Sequence, residues 1–474
     1  MLPPRRSWGL TVQLYAARSE ASWGIGDLGD LKRLGKLASE LGAGFVLLNP
    51  LHAPAPGLPQ QSSPYFPSSR RYRNPLYLRV DDETRADEAR ALNRSRHIDR
   101  DAVWRLKMQA LESLWERFDG DLGFDEYCRT EGRSLENFAA FCVLTEQFEG
   151  RSWREWPREF RRPGAAVPPR RMNFYRWLQW LIDTQLAEAA GEITLVSDVA
   201  VGFDPDGADA WEFQDALASD VSVGAPPDSF NTAGQNWGLP PFDPDALRAS
   251  GYRPFVETLR AAFRHAGGVR IDHVMGLFRL YWVPHGGAPA DGTYVRYPAD
   301  DLLDILGDES RRAGAFVVGE DLGTVEEGVR EELAARQVLS YRLLWFEPGA
   351  PATYPELALA AVSTHDLPTI PGVWTGADPG GAELRARLVE TVGVAEDAPL
   401  DTVVARTYET LATAPSLLVT ASLEDILGVT ARPNQPGTVN ETNWSLALPL
   451  TLEEIEKDPR LQRIAGALSR HTLD

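Results

Sequence analysis

The feature that most constrains the fold is the alternation of short apolar, β-branched runs with longer segments of helical periodicity. Such alternation is typical of βα units, in which helices connect the strands of a parallel sheet. Eight such runs fit a (β/α)8 TIM barrel, a fold of the α/β class. The predicted strands are residues 10–14, 45–48, 193–199, 269–272, 316–320, 340–345, 360–363 and 417–420.

The unequal spacing of the predicted strands indicates two large additions to the barrel. Residues 60–171 contain helical patterns and are interpreted as a mostly helical insertion subdomain. Residues 202–252 are rich in Pro, Asp and Gly, and we expect a long loop over the barrel mouth, where long loops are usually functional. The predicted division is 1–59 for barrel strands 1 and 2, 60–171 for the insertion, 172–430 for barrel strands 3 to 8, and 431–474 for a C-terminal segment that packs on the barrel.

Composition excludes several classes of partner. The net charge is −20, so the chain would repel a polyanion, and we expect no nucleic-acid binding. The N-terminus has no apolar core of a signal peptide, and no apolar run approaches the roughly 20 residues of a membrane span. Cys128 and Cys142 lie in helix-like sequence and are expected to be reduced core thiols, which favours a cytoplasmic location. Because no zinc or calcium spacing is present, we expect neither a metal nor a cofactor.

Three acidic residues stand where predicted strands end: Asp272, Glu320 and Asp366. In a TIM barrel the active site lies at the carboxyl ends of the strands, so we expect these side chains to meet in one cleft. Retaining cleavage of a glycosidic bond needs two carboxyl groups, one as a nucleophile and one as an acid/base. Each acid taken alone is more often structural, but their joint order predicts chemistry on a glycosidic bond.

The neighbours of the three acids suggest separate roles. Arg270 shares a strand face with Asp272 and favours its ionised form, as a nucleophile requires. Glu320 emerges from an apolar strand, so desolvation should raise its pKa and suit it to general acid catalysis. A bend after the seventh strand would bring both His365 and Asp366 to the cleft, one to a sugar hydroxyl and the other near the reacting carbon. The alternatives are an Arg–Asp pair that only orders the barrel, and a helix cap or rim salt bridge at Glu320.

The motifs around these acids resemble a known family. Arg-Ile-Asp-His at 270–273, Gly-Glu-Asp-Leu-Gly at 319–323 and Thr-His-Asp at 364–366 resemble the nucleophile, acid/base and transition-state-stabiliser motifs of the 4-α-glucanotransferases, or amylomaltases. These form glycoside hydrolase family 77 in the α-amylase clan. Further similar motifs are Ser-Pro-Tyr at 63–65, Gly-Ala-Pro-Pro-Asp-Ser-Phe at 224–230, Gly-Gln-Asn-Trp-Gly at 234–238, Asn-Gln-Pro-Gly-Thr at 434–438 and Asn-Trp at 443–444.

The resemblance implies retaining transfer of a glucosyl or maltooligosaccharyl unit. The donor would be an α-1,4-glucan such as a maltooligosaccharide, starch or glycogen, and the acceptor the 4-hydroxyl of another glucan or of glucose. A covalent glycosyl intermediate would form on Asp272, Glu320 would act as acid/base and Asp366 would stabilise the transition state. The alternatives are a retaining α-glucan hydrolase of the same clan and a non-catalytic glucan-binding protein.

The resemblance also implies a set of substrate-binding residues. Tyr65 would lie under the donor sugar, and the loop over 224–238 would cover the cleft and favour a sugar acceptor over water. Many members have an aromatic pair in this loop, where the present chain has Ser229-Phe230. The implied substrate-binding residues are Tyr65, Asp198, Asp228, Phe230, Gln235, Trp237, Arg270 and His365.

Overall fold

The structure is a computed structural model that describes residues 1–227, 232–438 and 440–472. Within those residues we number the strands β1 to β14 and the α-helices α1 to α16 along the chain. Eight of the strands form the central sheet. They are β1 (Ser7–Val12), β2 (Phe45–Leu48), β5 (Thr194–Val199), β8 (Gly268–Ile271), β11 (Phe316–Gly319), β12 (Leu339–Leu343), β13 (Ala358–Ala361) and β14 (Leu418–Ser422).

These eight strands close into a barrel in the order β1, β2, β5, β8, β11, β12, β13, β14, and β14 pairs with β1. Every neighbouring pair is parallel. Each of the eight predicted runs contributes one barrel strand, so the prediction of a (β/α)8 TIM barrel is confirmed. Because all strands run in the same direction, their carboxyl ends meet at one rim.

The inside of the barrel is a packed apolar core. Phe45, Phe316 and Tyr341 project into it together with aliphatic side chains of the other strands, and all three are less than 9 % exposed. Gly268 lies against the Phe316 ring, and a Cβ atom at Gly268 would lie 2.4 Å from it. Glycine at this position therefore permits the aromatic packing. Since the interior is filled, only the rim is available for a site.

Helices surround the barrel, and several begin at side-chain caps. Asp27 and Asp30 form a capping box at the start of α1, and Asp243 accepts two backbone N–H bonds at the start of α7. The helices are α1 (Leu28–Glu40), α2 (Glu83–Ala91), α3 (Arg100–Glu116), α4 (Leu122–Gln147), α5 (Pro169–Ala190), α6 (Ala208–Glu212), α7 (Pro244–Ala249), α8 (Arg253–Phe263), α9 (Ala299–Ala313), α10 (Val329–Ala335), α11 (Ile370–Thr375), α12 (Ala382–Val392), α13 (Leu400–Leu411), α14 (Leu423–Ile426), α15 (Leu452–Ile455) and α16 (Pro459–Leu468).

The segment 60–171 contains α2, α3, α4 and the first residues of α5, together with one strand, β4 (Ser69–Arg73). This strand pairs antiparallel with β3 (His52–Ala53) next to the barrel. Helix α4 bends at Gly132, whose backbone is not helical (φ 54°, ψ −134°). None of the helices in the part of the chain that the structure describes combines the length and the apolar character that crossing a bilayer requires.

The segment 202–252 is more regular than we expected. It contains α6, α7 and the strands β6 (Val221–Ala225) and β7 (Gln235–Leu239), which pair antiparallel. These strands join β9 (Arg279–Pro284) and β10 (Thr293–Arg296) in a four-stranded sheet of order β10-β9-β6-β7. The prediction of a long loop did not include these strands, because β6 pairs with β9, which is distant in sequence and cannot be inferred from local composition.

Candidate active site

Strand register places the first two acids side by side. Ile271 of β8 pairs with Gly319 of β11, and the Glu320 N–H donates to the Ile271 carbonyl at 2.9 Å. Asp272 and Glu320 are the next residues on these two strands, which lie about 4.8 Å apart as neighbouring strands do. A Cβ atom at Gly319 would lie 2.9 Å from the Val274 side chain, so glycine lets the turn after Asp272 pack closely against β11.

The three acids open into one cleft at the carboxyl rim of the barrel, with a cavity of about 730 Å³. Asp366 reaches this cleft from the turn that follows β13, as the expected bend requires. The cavity is also lined by side chains that the sequence pointed to as substrate contacts. These are Tyr65, Gln235, Trp237, Arg270 and His365.

A single guanidinium group donates hydrogen bonds to two carboxylates at the base of the cleft. Nη1 of Arg270 donates to both oxygens of Asp198 at 2.7 and 2.8 Å, and Nη2 donates to Oδ1 of Asp272 at 2.9 Å. The Arg270 and Asp198 side chains are each only 4 % exposed. Burial lowers the pKa of Arg270, but the charges of Asp198 and Asp272 outweigh it and keep the group cationic. Arg270 therefore places one buried positive charge beside both carboxylates.

Asp198 lies one layer below the cleft rather than on its surface. It is not among the side chains that line the cavity, and its carboxylate is occupied by Arg270 and by the Tyr65 hydroxyl, which donates at 2.5 Å. Burial raises the pKa of Asp198, and the Arg270 charge opposes that shift. The position of Asp198 therefore links Arg270 to Tyr65.

Glu320 has a different environment. Burial, followed by the charge of Asp272, raises the pKa of Glu320 to about 7. Its two oxygens accept backbone N–H bonds from His273 at 2.9 Å and from Leu322 at 2.8 Å. A carboxyl group whose pKa lies near neutrality can both give and take a proton, as a general acid/base must.

Tyr65, His365 and Asp366 form a connected wall of the cleft. The rings of Tyr65 and His365 stack at 4.5 Å, and the Tyr65 hydroxyl lies 3.1 Å from Nδ1 of His365. Nε2 of His365 lies 3.4 Å from Oδ1 of Asp366, and the Asn434 amide donates to that same oxygen at 2.7 Å. Burial lowers the pKa of His365, but the charge and hydrogen bond of Asp366 outweigh it and the pKa is raised.

Strand β7 forms the opposite wall. The Trp237 indole N–H donates to the Gln235 side chain at 2.9 Å, and the Trp237 ring meets the His273 ring edge-on at 5.4 Å. Asp228 and Phe230, which the resemblance assigned to substrate binding, lie outside the described residues. The part of the hairpin that the structure describes thus reaches the residue that follows Asp272.

Four further cleft residues received no role from the sequence. His273, Phe346, Asn434 and Trp444 all line the cavity, and Phe346 is 41 % exposed. His273, Asn434 and Trp444 belong to motifs that the sequence did single out, so a signal was present for these three. Phe346 lies in no motif, and only the fold brings it to the rim.

No group of three His, Cys, Asp or Glu side chains within residues 1–227, 232–438 and 440–472 is placed to hold a metal ion.

A TIM barrel with carboxyl groups of different pKa, a buried Arg and aromatic faces at its carboxyl rim defines a class of enzymes that act on glycosidic bonds. Comparison with known proteins specifies the class further. The family model described as 4-alpha-glucanotransferase matches residues 12–451. The chain belongs to this family, and it is an enzyme of the 4-α-glucanotransferase type.

Individual relatives agree with this assignment. A 4-alpha-glucanotransferase of Mycobacterium tuberculosis is 41 % identical over 99 % of this chain and 76 % of its own length. A 4-alpha-glucanotransferase of Haemophilus influenzae is 37 % identical over 79 % of this chain and 61 % of its own length.

Solved structures show the same fold. The amylomaltase of Corynebacterium glutamicum matches with a TM-score of 0.90 at 34 % identity, covering 98 % of this chain and 75 % of its own. An amylomaltase of Streptococcus agalactiae, solved in complex with acarbose, matches with a TM-score of 0.84 at 18 % identity, covering 98 % and 99 % of the two chains.

Proposed function

We propose that Asp272 is the nucleophile, Glu320 the acid/base and Asp366 the transition-state stabiliser of this transferase. The observation that carries the proposal is the contrast between two neighbouring carboxyl groups. Asp272 accepts a hydrogen bond from the Arg270 guanidinium, whereas burial raises the pKa of Glu320 to about 7. Neighbouring carboxyl groups with separate electrostatic environments are what a nucleophile and an acid/base require.

The reaction then has two steps. Asp272 attacks the anomeric carbon of a donor α-1,4-glucan while Glu320 gives its proton to the departing glycosidic oxygen, so a covalent β-glycosyl ester forms and the remainder of the donor leaves. The 4-hydroxyl of an acceptor glucan or of glucose then attacks the ester and gives its proton to Glu320. The new α-1,4 bond forms and Asp272 is released, with net retention after two inversions.

The substrate-binding roles follow from position in the cleft. Arg270 pairs with Asp272, His365 lies beside Asp366, and Tyr65 stacks on His365. These three side chains would hold the donor sugar. Asp198 would act through Arg270 and Tyr65, with which it is hydrogen-bonded. Gln235 and Trp237, with Asp228 and Phe230 from the resemblance, would contact the acceptor. We also propose that this cleft binds acarbose, with which the amylomaltase of Streptococcus agalactiae was solved.

Transfer rather than hydrolysis requires that water be kept from the glycosyl ester. Strand β7 lines the cleft beside His273, where Trp237 would shield the ester from water. The hairpin therefore favours a transferase over the plain hydrolase alternative. We further propose maltooligosaccharides, starch or glycogen as substrates and a cytoplasmic location for the enzyme.

The primary test is incubation of the purified protein with maltotriose alone, followed by separation of the products by chain length. Glucose together with oligosaccharides longer than maltotriose is expected from disproportionation. Glucose and maltose with nothing longer would identify a hydrolase. Unchanged maltotriose that nevertheless binds the protein would support the non-catalytic alternative.

A second experiment tests the nucleophile directly. Glu320→Gln is treated with α-maltotriosyl fluoride, because fluoride can leave without a proton donor and the glycosyl ester can therefore form. Transfer of the glycosyl group to an acceptor needs a base, so this second step is slow in the variant and the ester accumulates. Mass spectrometry of the digested protein is expected to find the maltotriosyl group on the peptide that contains Asp272. The matched control, Glu320→Gln with Asp272→Asn, should carry no label, and label on another residue would overturn the assignment.

A further inference from the structure

A buried arginine outside the cleft has no carboxylate partner among the residues that the structure describes. Arg100, the first residue of α3, is 8 % exposed and forms no ion pair with any residue that the structure describes. Burial lowers its pKa. A buried guanidinium group without a counter-ion costs stability. Its hydrogen-bond partners therefore indicate which part of the structure it stabilises.

The hydrogen bonds of Arg100 go to the C-terminal segment. Nη2 donates to the backbone carbonyl of Trp444, and Nη1 donates to the Ser445 hydroxyl at 3.3 Å. The guanidinium carbon lies 5.2 Å from the centre of the Tyr15 ring, so an aromatic face supplies part of the missing compensation. The positive charge is thereby directed at the peptide unit that follows Trp444.

Trp444 has an unusual backbone conformation. Its φ is 60°, in the left-handed region that bulky residues rarely adopt and that persists only where the surroundings impose it. Its N–H donates to the Pro433 carbonyl at 2.8 Å, and the residue is 5 % exposed. The strained turn is therefore held on both sides, by Pro433 at its N–H and by Arg100 at its carbonyl.

The left-handed turn places the Trp444 indole against the wall of the cleft that Tyr65, His365 and Asp366 form. The Trp444 ring lies 5.3 Å from the Tyr65 ring and 5.1 Å from the His365 ring. A backbone hydrogen bond also joins the segment after Trp444 to the insertion, since the Ile98 N–H donates to the Ser445 carbonyl at 2.8 Å. A continuous set of contacts thus runs from the start of α3 to the rings beside Asp366.

We propose that Arg100 is a positioning residue for catalysis, because its hydrogen bond to the Trp444 carbonyl fixes the left-handed turn that packs the indole against Tyr65 and His365. The proposal rests on the proposed roles of Tyr65 and His365 in holding the donor sugar. It makes the insertion subdomain part of the catalytic apparatus, although Arg100 does not line the cleft.

The test is a double-mutant cycle with Arg100→Met and Trp444→Ala, assayed with maltotriose. Each single variant is expected to lower kcat about tenfold while KM changes less than about threefold, since misplaced rings cost transition-state stabilisation more than ground-state binding. The double variant should equal Trp444→Ala alone, because Arg100 acts through the indole. Unchanged kcat in either single variant, or additive losses in the double variant, would overturn the proposal.

Arg18→Met is the matched control. Arg18 is also a buried arginine without an ion pair among the described residues, and it donates to the Ser95 carbonyl at 2.9 Å, whereas Arg100 donates to the Trp444 carbonyl. It should lose stability but keep kcat below its unfolding temperature. If Arg100→Met does not fold, the cycle is run with Arg100→Lys, which keeps one donor and should lose less kcat. A wild-type protein that forms no ladder from maltotriose would instead reject the proposed function, before the cycle is interpreted.

Discussion

The backbone N–H of His273 donates a hydrogen bond to Oε2 of Glu320 at 2.9 Å. His273 follows Asp272 directly and has left-handed backbone angles, φ 48° and ψ 60°. The residue after the proposed nucleophile therefore holds the proposed acid/base in place. Because the His273 ring also contacts Trp237, the proposed nucleophile, the proposed acid/base and strand β7 are connected through one residue.

The first prediction concerns the protonation of Glu320. Its pKa is raised from 4.5 to about 7, by burial and then by the charge of Asp272. Since a general acid must carry its proton when the bond breaks, donor cleavage should slow as the pH rises through about 7. Asp272→Asn removes one of the two causes and should lower the pKa of Glu320, as measured by NMR of ¹³C-labelled glutamate carboxyl groups.

The control for that titration is Asp215→Asn, which removes an exposed carboxylate paired with Arg162 on the surface. It should leave the Glu320 titration unchanged. An unchanged pKa of Glu320 in Asp272→Asn would show that burial alone sets it.

A second prediction concerns the buried charges beneath the cleft. Arg270→Met leaves Asp198 without its counter-ion, and the free energy of unfolding should fall by about 3–5 kcal/mol. Chemical denaturation at equilibrium measures the loss. Arg162→Met, which breaks an exposed pair with Asp215, should cost less than about 1 kcal/mol. Equal losses in the two variants would contradict the assigned role of burial.

The barrel could be predicted from the sequence because its strands are buried on both faces and read as short continuous apolar runs. Strand β11 is an example, since all four of its residues are buried. The acids could be predicted as well, because Asp272 and Glu320 interrupt such runs where strands end and the fold gathers strand ends at one rim. Local pattern and global fold agree at these positions.

Contacts between distant segments could not be predicted in this way. The pairing of β6 with β9 depends on residues outside any local window, so the sequence predicted a long loop at 202–252 and missed the strands within it. Whether Asp198 lines the cleft or lies beneath it depends on the side chains that cover it, which are Arg270 and Tyr65. Likewise, neither the left-handed turn at Trp444 nor its contact with Tyr65 leaves a periodic signal.

A third prediction concerns the proposed exclusion of water by Trp237 of the β6–β7 hairpin. Trp237→Ala removes the ring that meets His273 and should lower the ratio of transfer to hydrolysis roughly twofold to tenfold, as the loss of one aromatic contact suggests. Transfer conserves the number of reducing ends, whereas each hydrolysis adds one, so a reducing-end assay alongside the product ladder gives the ratio.

Tyr294→Ala is the control for the hairpin, since Tyr294 belongs to strand β10 of the same sheet and does not line the cavity. The ratio should stay at the wild-type value in this variant. A similar fall in both variants would indicate a general loosening of the sheet rather than loss of a shield.

The last prediction concerns the hydrogen bond from the Asn434 amide to Oδ1 of Asp366 at 2.7 Å. A hydrogen bond to a charged group contributes about 1.5–3 kcal/mol, so Asn434→Ala should lower kcat/KM for maltotriose roughly tenfold to a hundredfold. Asn434→Asp replaces the donor with a second carboxylate and should lose more at pH 7. Its deficit relative to Asn434→Ala should shrink as the pH falls, because a protonated carboxyl group can again donate to Asp366. Parallel pH profiles for the two variants would contradict this account of how Asp366 is held.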